Sequence, residues 1–166
     1  RSMLAMPRVV RALSADLGGA PVFYLTAFPI LLSRSITNLL RRDGYPPGTQ
    51  LDFLCTGNYL HRAYGMNAVY PHGHHGNAIV SRHAIGRHLN HDISDHALEK
   101  RGLLHAVSHF ETSKGALDVH LINTHFGLIK RSRVRQAEFL IEFVKSEVPK
   151  GAPLIIAGDF NDWQRG

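Results

Sequence analysis

The feature that most constrains this chain lies in its last third. Two short apolar strands, each ending in polar residues, are joined by a helix. Residues 117–123 (Leu-Asp-Val-His-Leu-Ile-Asn) alternate, and the run closes on Asn123, Thr124 and His125. Residues 133–148 carry Val134, Ala137, Leu140, Ile141, Val144 and Val148 at helical spacing, and Pro149 and Gly151 stop that helix. Residues 153–157 then form a continuous apolar strand that runs into Gly158-Asp159-Phe160-Asn161. Side chains two apart on an extended chain share a face, so Asn123 pairs with His125 and Asp159 with Asn161.

Upstream, residues 103–110 and 117–123 flank Lys114-Gly115 and predict a β-hairpin. Residues 77–81 form an apolar run between Gly76 and Arg82, a buried strand. Residues 8–16 fit a short helix leading into a strand, whereas residues 18–48 hold neither helical nor strand periodicity. The chain of 166 residues, 44% hydrophobic and 19% charged, suffices for one core and argues against wholesale disorder. It is expected to form one domain over 1–166, incomplete at both ends, with 18–48 matching poorly.

Charge narrows the partners. With 19 Lys and Arg against 13 Asp and Glu, the formal charge is +6, which favours phosphodiesters, nucleic acid or anionic lipid head groups. A single cysteine, Cys55, excludes an internal disulfide framework and a cysteine-based zinc cluster. It points to a reducing compartment, so a cytoplasmic location is the expectation; the chain is separately expected to be a monomer. No apolar run reaches the roughly 18–20 residues a membrane span needs, and residues 20–32 are broken by Pro21 and Pro29.

The residue types at the strand ends suit phosphate chemistry. A carboxylate such as Asp159 can orient or deprotonate a water or hold a metal ion, and an amide such as Asn161 can donate to a phosphoryl oxygen. His125 can donate to a phosphate oxygen or to the leaving oxygen. Gly76-Asn77-Ala-Ile-Val-Ser-Arg82 and Glu99-Lys-Arg-Gly-Leu103 could each bring an Asn or Arg to a phosphate. Taken singly, every one of these segments also reads as a turn beside a strand.

In this order the four segments resemble the endonuclease/exonuclease/phosphatase superfamily, the DNase I-like fold, from about residue 51 to 162. Arg133, Arg135 and Gln136 resemble an Arg-Gln pair of that family. The run Asn67-Ala-Val-Tyr-Pro-His-Gly-His-His-Gly-Asn77 is similar to the bacterial branch of small-substrate or uncharacterised members. The resemblance implies an α/β sandwich of two β-sheets flanked by helices. It also implies a metal-dependent phosphoester hydrolase (a phosphodiesterase, nuclease or phosphatase) using Mg2+ or Mn2+. By motif, Asp159 would activate the attacking water and touch the metal, Asn161 would bind the scissile phosphate, and His125 would stabilise the transition state or protonate the leaving group. Asn123 would support that loop, with Asn77 and Arg101 on the substrate. Nucleic acid and a small or lipid phosphodiester remain open as substrates.

The chain departs from the family pattern where the resemblance places the principal metal ligand, a Gln-Glu pair after the first buried strand. No glutamate precedes Glu99, and no Asp-His pair follows Asn161. Ser94-Asp95-His96 has the letters of that closing pair but the wrong order, and reads as a loop coincidence whose substitution should be nearly silent. A frameshifted or misassembled stretch near 18–48 in a fragment is the expected reason, and such a fragment should be feeble or inactive. Two rival functions follow. One is a catalytically dead member that binds a phosphorylated ligand or a protein. The other is a His-rich metal module built on His72, His74 and His75, among seven histidines between His72 and His96 expected across loops and strand ends.

Overall fold

The computed structural model describes residues 22–26, 60–70 and 73–162. Its elements, in chain order, are β1 (Val22–Thr26), β2 (His61–Tyr70), β3 (Gly73–Ser81), β4 (Ile85–Asp92), β5 (Gly102–Thr112), β6 (Gly115–His125), α1 (Lys130–Glu147) and β7 (Leu154–Asp159). Five strands form one sheet in the order β1-β7-β6-β5-β4, and β2 and β3 form a second, antiparallel sheet. The expected α/β sandwich of two sheets is the one the described residues form, with α1 as the flanking helix among them.

The hairpin arises as its sequence suggests. Lys114-Gly115 turns the chain, and Gly115 at φ 114° occupies the left-handed region that a side chain disfavours. β5 and β6 then pair antiparallel from Thr112↔Gly115 to Leu103↔Thr124. From β6 the chain returns through α1 to β7, which lies parallel to β6. A parallel pair requires such a crossover, because a tight turn can only reverse the chain.

The two faces of the large sheet bury different cores. Leu103, Ile122, Leu154 and Ile156 pack with Leu140, Phe143 and Val144 of α1, together with Ile93, Phe126 and Phe160. Burying one such Leu, Ile or Phe contributes about 1.5–3 kcal/mol, so this layer carries most of the apolar drive. On the opposite face Leu104 and Ala106 pack against Ala63 and Ile79 of the small sheet. Asparagines stitch that seam. Asn77 Nδ2 donates to the Gly102 carbonyl at 2.7 Å, and Asn123 Nδ2 to that of Ala78 at 2.7 Å.

Three readings of the sequence need correction. Residues 18–48 contain a strand after all: Val22–Thr26 pairs parallel with Leu154–Gly158 of β7. A five-residue apolar run without alternation carries no periodicity to read; its partner strand decides. The rest of that segment, and the helix expected at 8–16, lie outside the described residues. β2 and β4 carry no clear period, because histidines, glycines and asparagines interrupt their alternation. For the same reason the histidines are not mainly in loops: His74 and His75 lie in β3 and His88 and His91 in β4, while His72 lies outside the described residues.

Candidate active site at the ends of β6 and β7

The parallel ladder carries two side chains of the expected site to one place. The last rung of the β6–β7 pairing is His125↔Asp159, one residue beyond Thr124↔Gly158. The strands can approach this closely because residue 158 is glycine: a Cβ there would lie 1.8 Å from the Thr124 carbonyl oxygen, and its φ is 140°. His125 Nε2 stands 3.9 Å from Asp159 Oδ2, with the side chains 23% and 15% exposed. That separation is too long for a direct hydrogen bond. The buried Nε2 has no hydrogen-bond partner among the described residues, although most buried polar atoms have one.

Electrostatics favour the neutral form of this imidazole. Burial lowers the His125 pKa first, Arg101 and His75 push the same way, and Asp159 and Glu99 oppose them. Asp159 is oriented from the other side: its Oδ1 accepts the Asn161 backbone N–H at 2.9 Å. Asn161 holds φ 49°, a left-handed conformation that asparagine tolerates better than most residues. Oδ2 thus faces His125 while Oδ1 is engaged.

The loop after His125 is held by nearly every polar group around it. Phe126 N–H donates to the Asp159 carbonyl at 2.8 Å. The Phe126 carbonyl accepts from Asn161 Nδ2 at 2.7 Å and from Arg101 Nε at 3.1 Å. Gly127 N–H donates to Gln136 Oε1 at 2.8 Å, and Leu128 N–H to Glu99 Oε1 at 3.1 Å. Arg133, from α1, donates to the Leu128 carbonyl at 2.5 Å. A loop buried beside a site leaves backbone groups that side chains must satisfy, and here buried Arg133 and Gln136 do so.

Each expected site residue therefore has a definite place. His125 and Asp159 come together. Asn161 and Arg101 adjoin them, with amide and guanidinium engaged on the Phe126 carbonyl. Asn77 and Asn123 lie in the seam between the sheets; Asn77, 6% exposed, also reaches the Asn123 carbonyl at 3.2 Å.

Sequence reasoning passed over Glu99, which accepts from Arg101 Nη2 at 2.8 Å and from Leu128 N–H. It also passed over the cleft beside them, about 380 Å³, lined by His75, Leu98, Lys100, Leu128 and Ile129 among others. The Glu99-Lys-Arg-Gly segment was the signal available, but a carboxylate's backbone partner 29 residues away is invisible in the letters.

Ser94-Asp95-His96 does lie in the β4–β5 loop, but Asp95 is not idle. Its carboxylate accepts from Ser132 Oγ at 2.6 Å and takes a two-pronged bond from Arg135, reaching Nε at 2.5 Å and Nη2. Arg135 first and Ser132 second hold its pKa down at about 2. Asp95 thereby ties the β4–β5 loop to the first turns of α1.

Fit to a metal is poor. No three His, Cys, Asp or Glu side chains converge on a cation position among the described residues. Asp159 offers one open carboxylate oxygen, short of the six or so oxygens a Mg2+ ion takes. Nor is any helix of the described residues long and apolar enough to cross a membrane.

Comparison with known proteins agrees with the fold. A family model described as "Endonuclease/Exonuclease/phosphatase family" matches residues 15–166. The chain is also similar to proteins named "Uncharacterized protein YbhP". Those of Escherichia coli (strain K12) and Shigella flexneri are each 40% identical over 127 residues, which is 76% of this chain and 49% of the relative. The chain thus spans about half the length of the curated relatives it matches.

Proposed function

The chain belongs to the endonuclease/exonuclease/phosphatase family, and from that premise we propose that it is a phosphoester hydrolase working through His125 and Asp159. Metal-dependent hydrolysis of phosphoesters is the chemistry of the family. The observation that carries the reading here is the adjacency of His125 and Asp159 on one rung, with a buried Nε2 that has no hydrogen-bond partner among the described residues.

The residues divide the work. Asp159 Oδ2 accepts a proton from the attacking water as the new P–O bond forms and the bond to the leaving oxygen breaks. The proton ends on the alcohol product, so one water is consumed in balance. Neutral His125 donates its Nε2 proton in a hydrogen bond to the phosphoryl oxygen that gains charge. Asn161 and Arg101 hold the Phe126 backbone and so fix both groups.

The family implies a divalent ion such as Mg2+ or Mn2+; if Asp159 held it, Oδ2 would serve the ion in place of the proton. The substrate is a phosphodiester or monoester, in keeping with the +6 charge, and the single cysteine supports a cytoplasmic site of action.

The test is hydrolysis of bis(p-nitrophenyl) phosphate with Mg2+, Mn2+ or a chelator. Asp159→Ala and His125→Ala should each lower turnover by about 10²–10⁴-fold. Near-full activity in both variants would remove the assignment, and chelation should abolish turnover in the parent. A second reading is favoured by the lack of a metal donor set among the described residues: binding of a phosphoryl ligand without turnover. It predicts retained phosphate binding, no hydrolysis with any divalent ion, and indifference to Asp159→Ala.

A further inference from the structure

Along β3 the side chains alternate between two faces, and the inner row runs Ile79, Asn77, His75. The bulge of this ladder puts its extra residue, Asn67, on β2, so the alternation of β3 is unbroken. Ile79 packs against Ala63, Leu104 and Ala106, and Asn77 Nδ2 reaches the Gly102 carbonyl at 2.7 Å. His75 is the next inward position, about 7 Å further along the strand, where it lines the cleft with Arg101. The two strands lie close here: a Cβ on Gly76 would stand 1.9 Å from the Gly65 carbonyl oxygen. His74 takes the outer face, its Nδ1 2.7 Å from Tyr64 Oη.

The other polar side chains expected around a phosphate are spent on the protein itself. Arg101 donates from Nε to the Phe126 carbonyl at 3.1 Å, from Nη1 to the Lys100 carbonyl at 3.3 Å, and from Nη2 to Glu99 Oε1 at 2.8 Å. Arg101 and Glu99 are only 10% and 13% exposed, so the guanidinium meets the cleft already paired. Glu99 is occupied in turn: Oε1 also takes the Leu128 N–H, and Oε2 lies 3.7 Å from His96 Nε2. Asn77 and Asn123 are engaged in the seam between the sheets. His75 differs from all of these. Its ring is exposed on the cleft wall, and a positive charge on it is felt at His125. Partial burial first, and Arg101 second, lower its own pKa, which favours a neutral ring with one N–H to give.

We propose that His75 is a substrate-contacting residue of the site, donating from its imidazole N–H to a non-bridging oxygen of the phosphoester held at His125. The assignment rests on the phosphoester reading above and adds a second imidazole to it. His125 comes from the large sheet and His75 from the small one, so the phosphoryl group is gripped from both layers of the sandwich. Two neutral donors serve an anion without the mutual repulsion of two imidazolium rings. No proton is transferred at His75.

The probe is inorganic phosphate, titrated into the whole chain while the imidazole signals are followed by NMR. The His75 signal, identified by its loss in His75→Gln, should move saturably and in step with that of His125. His75→Ala should weaken phosphate binding about tenfold or more. His75→Gln keeps an N–H donor and should retain most of the affinity, with Tm unchanged in both variants and His74→Ala without effect. A His75 signal unmoved by phosphate, or an affinity unchanged in His75→Ala, overturns the proposal. Equal losses in both His75 variants with a lowered Tm mark a structural role and overturn it too. Hydrolysis of bis(p-nitrophenyl) phosphate separates the two readings. If it is absent in the parent while the His75-dependent affinity holds, the hydrolase reading falls and the contact stands. If it is present with kcat/KM unchanged in His75→Ala, the contact falls and the hydrolase reading stands.

Discussion

At the scale of single residues, Ile129 and Gly158 show opposite bargains. Ile129 leaves the N-terminus of α1 without a side-chain cap, so Ile129→Ser should raise stability by about 1 kcal/mol. Thermal denaturation checks this, and a lowered Tm would show that Ile129 packs more than it exposes. Gly158 has no such freedom. Its Cβ position lies 1.8 Å from backbone at φ 140°, so Gly158→Ala should cost several kcal/mol, on the order of 3 or more, and separate β6 from β7. Asp95→Ala should lower Tm as well, because Arg135 and Ser132 lose their acceptor. The chemistry of His125, Asp159 and Asn161 was legible as residue types at strand ends. That Asn161 and Arg101 spend donors on the Phe126 carbonyl was not, since hydrogen-bond partners 35 and 25 residues apart depend on the fold.

At the scale of elements, the loop between β6 and α1 is positioned from the helix side. Gln136 bridges two segments, accepting from Gly127 N–H and donating to the Ile93 carbonyl at 3.0 Å. Gln136→Leu leaves both backbone groups unsatisfied, at about 1–3 kcal/mol each. Turnover should fall along with Tm in that variant, whereas Lys145→Ala, at the far end of the helix, should change neither appreciably. The helix, the hairpin and the last strand could be read from the letters because their burial is one-sided and their alternation or spacing is intact. The expected helix at 133–148 begins three residues earlier, at Lys130, because no cap residue marks its start. β2 and β4 could not be read: β4 is largely exposed, so its residues carry no hydrophobic period.

At the scale of the whole molecule, acid is the expected weakness. His105 of β5 and His120 of β6 share a hydrogen bond, Nε2 to Nδ1 at 3.0 Å, beneath Phe143 of α1. One imidazole donates and the other accepts, so the pair is neutral. Burial lowers both pKa values, that of His105 to about 4, with His120, Arg87 and His91 pushing the same way; Asp118 opposes the shift at His120. An unfolded chain binds protons near the ordinary histidine value of 6.5 while the folded chain does not. Stability is therefore full above pH 6.5 and is lost as pH falls toward 4, by on the order of 2 kcal/mol. His105→Phe should flatten that dependence in denaturant titrations at pH 7 and pH 5; an unchanged slope would locate the acid sensitivity elsewhere. The pairing of His125 with Asp159 carries a different consequence for the molecule's history. Two groups on one rung of a ladder cannot drift apart by small steps, because sliding either strand by one residue turns its side chain to the opposite face. Insertions and deletions within β6 or β7 would thus abolish the pair at a stroke, while those in the turns beyond could change the ligand and leave the chemistry untouched.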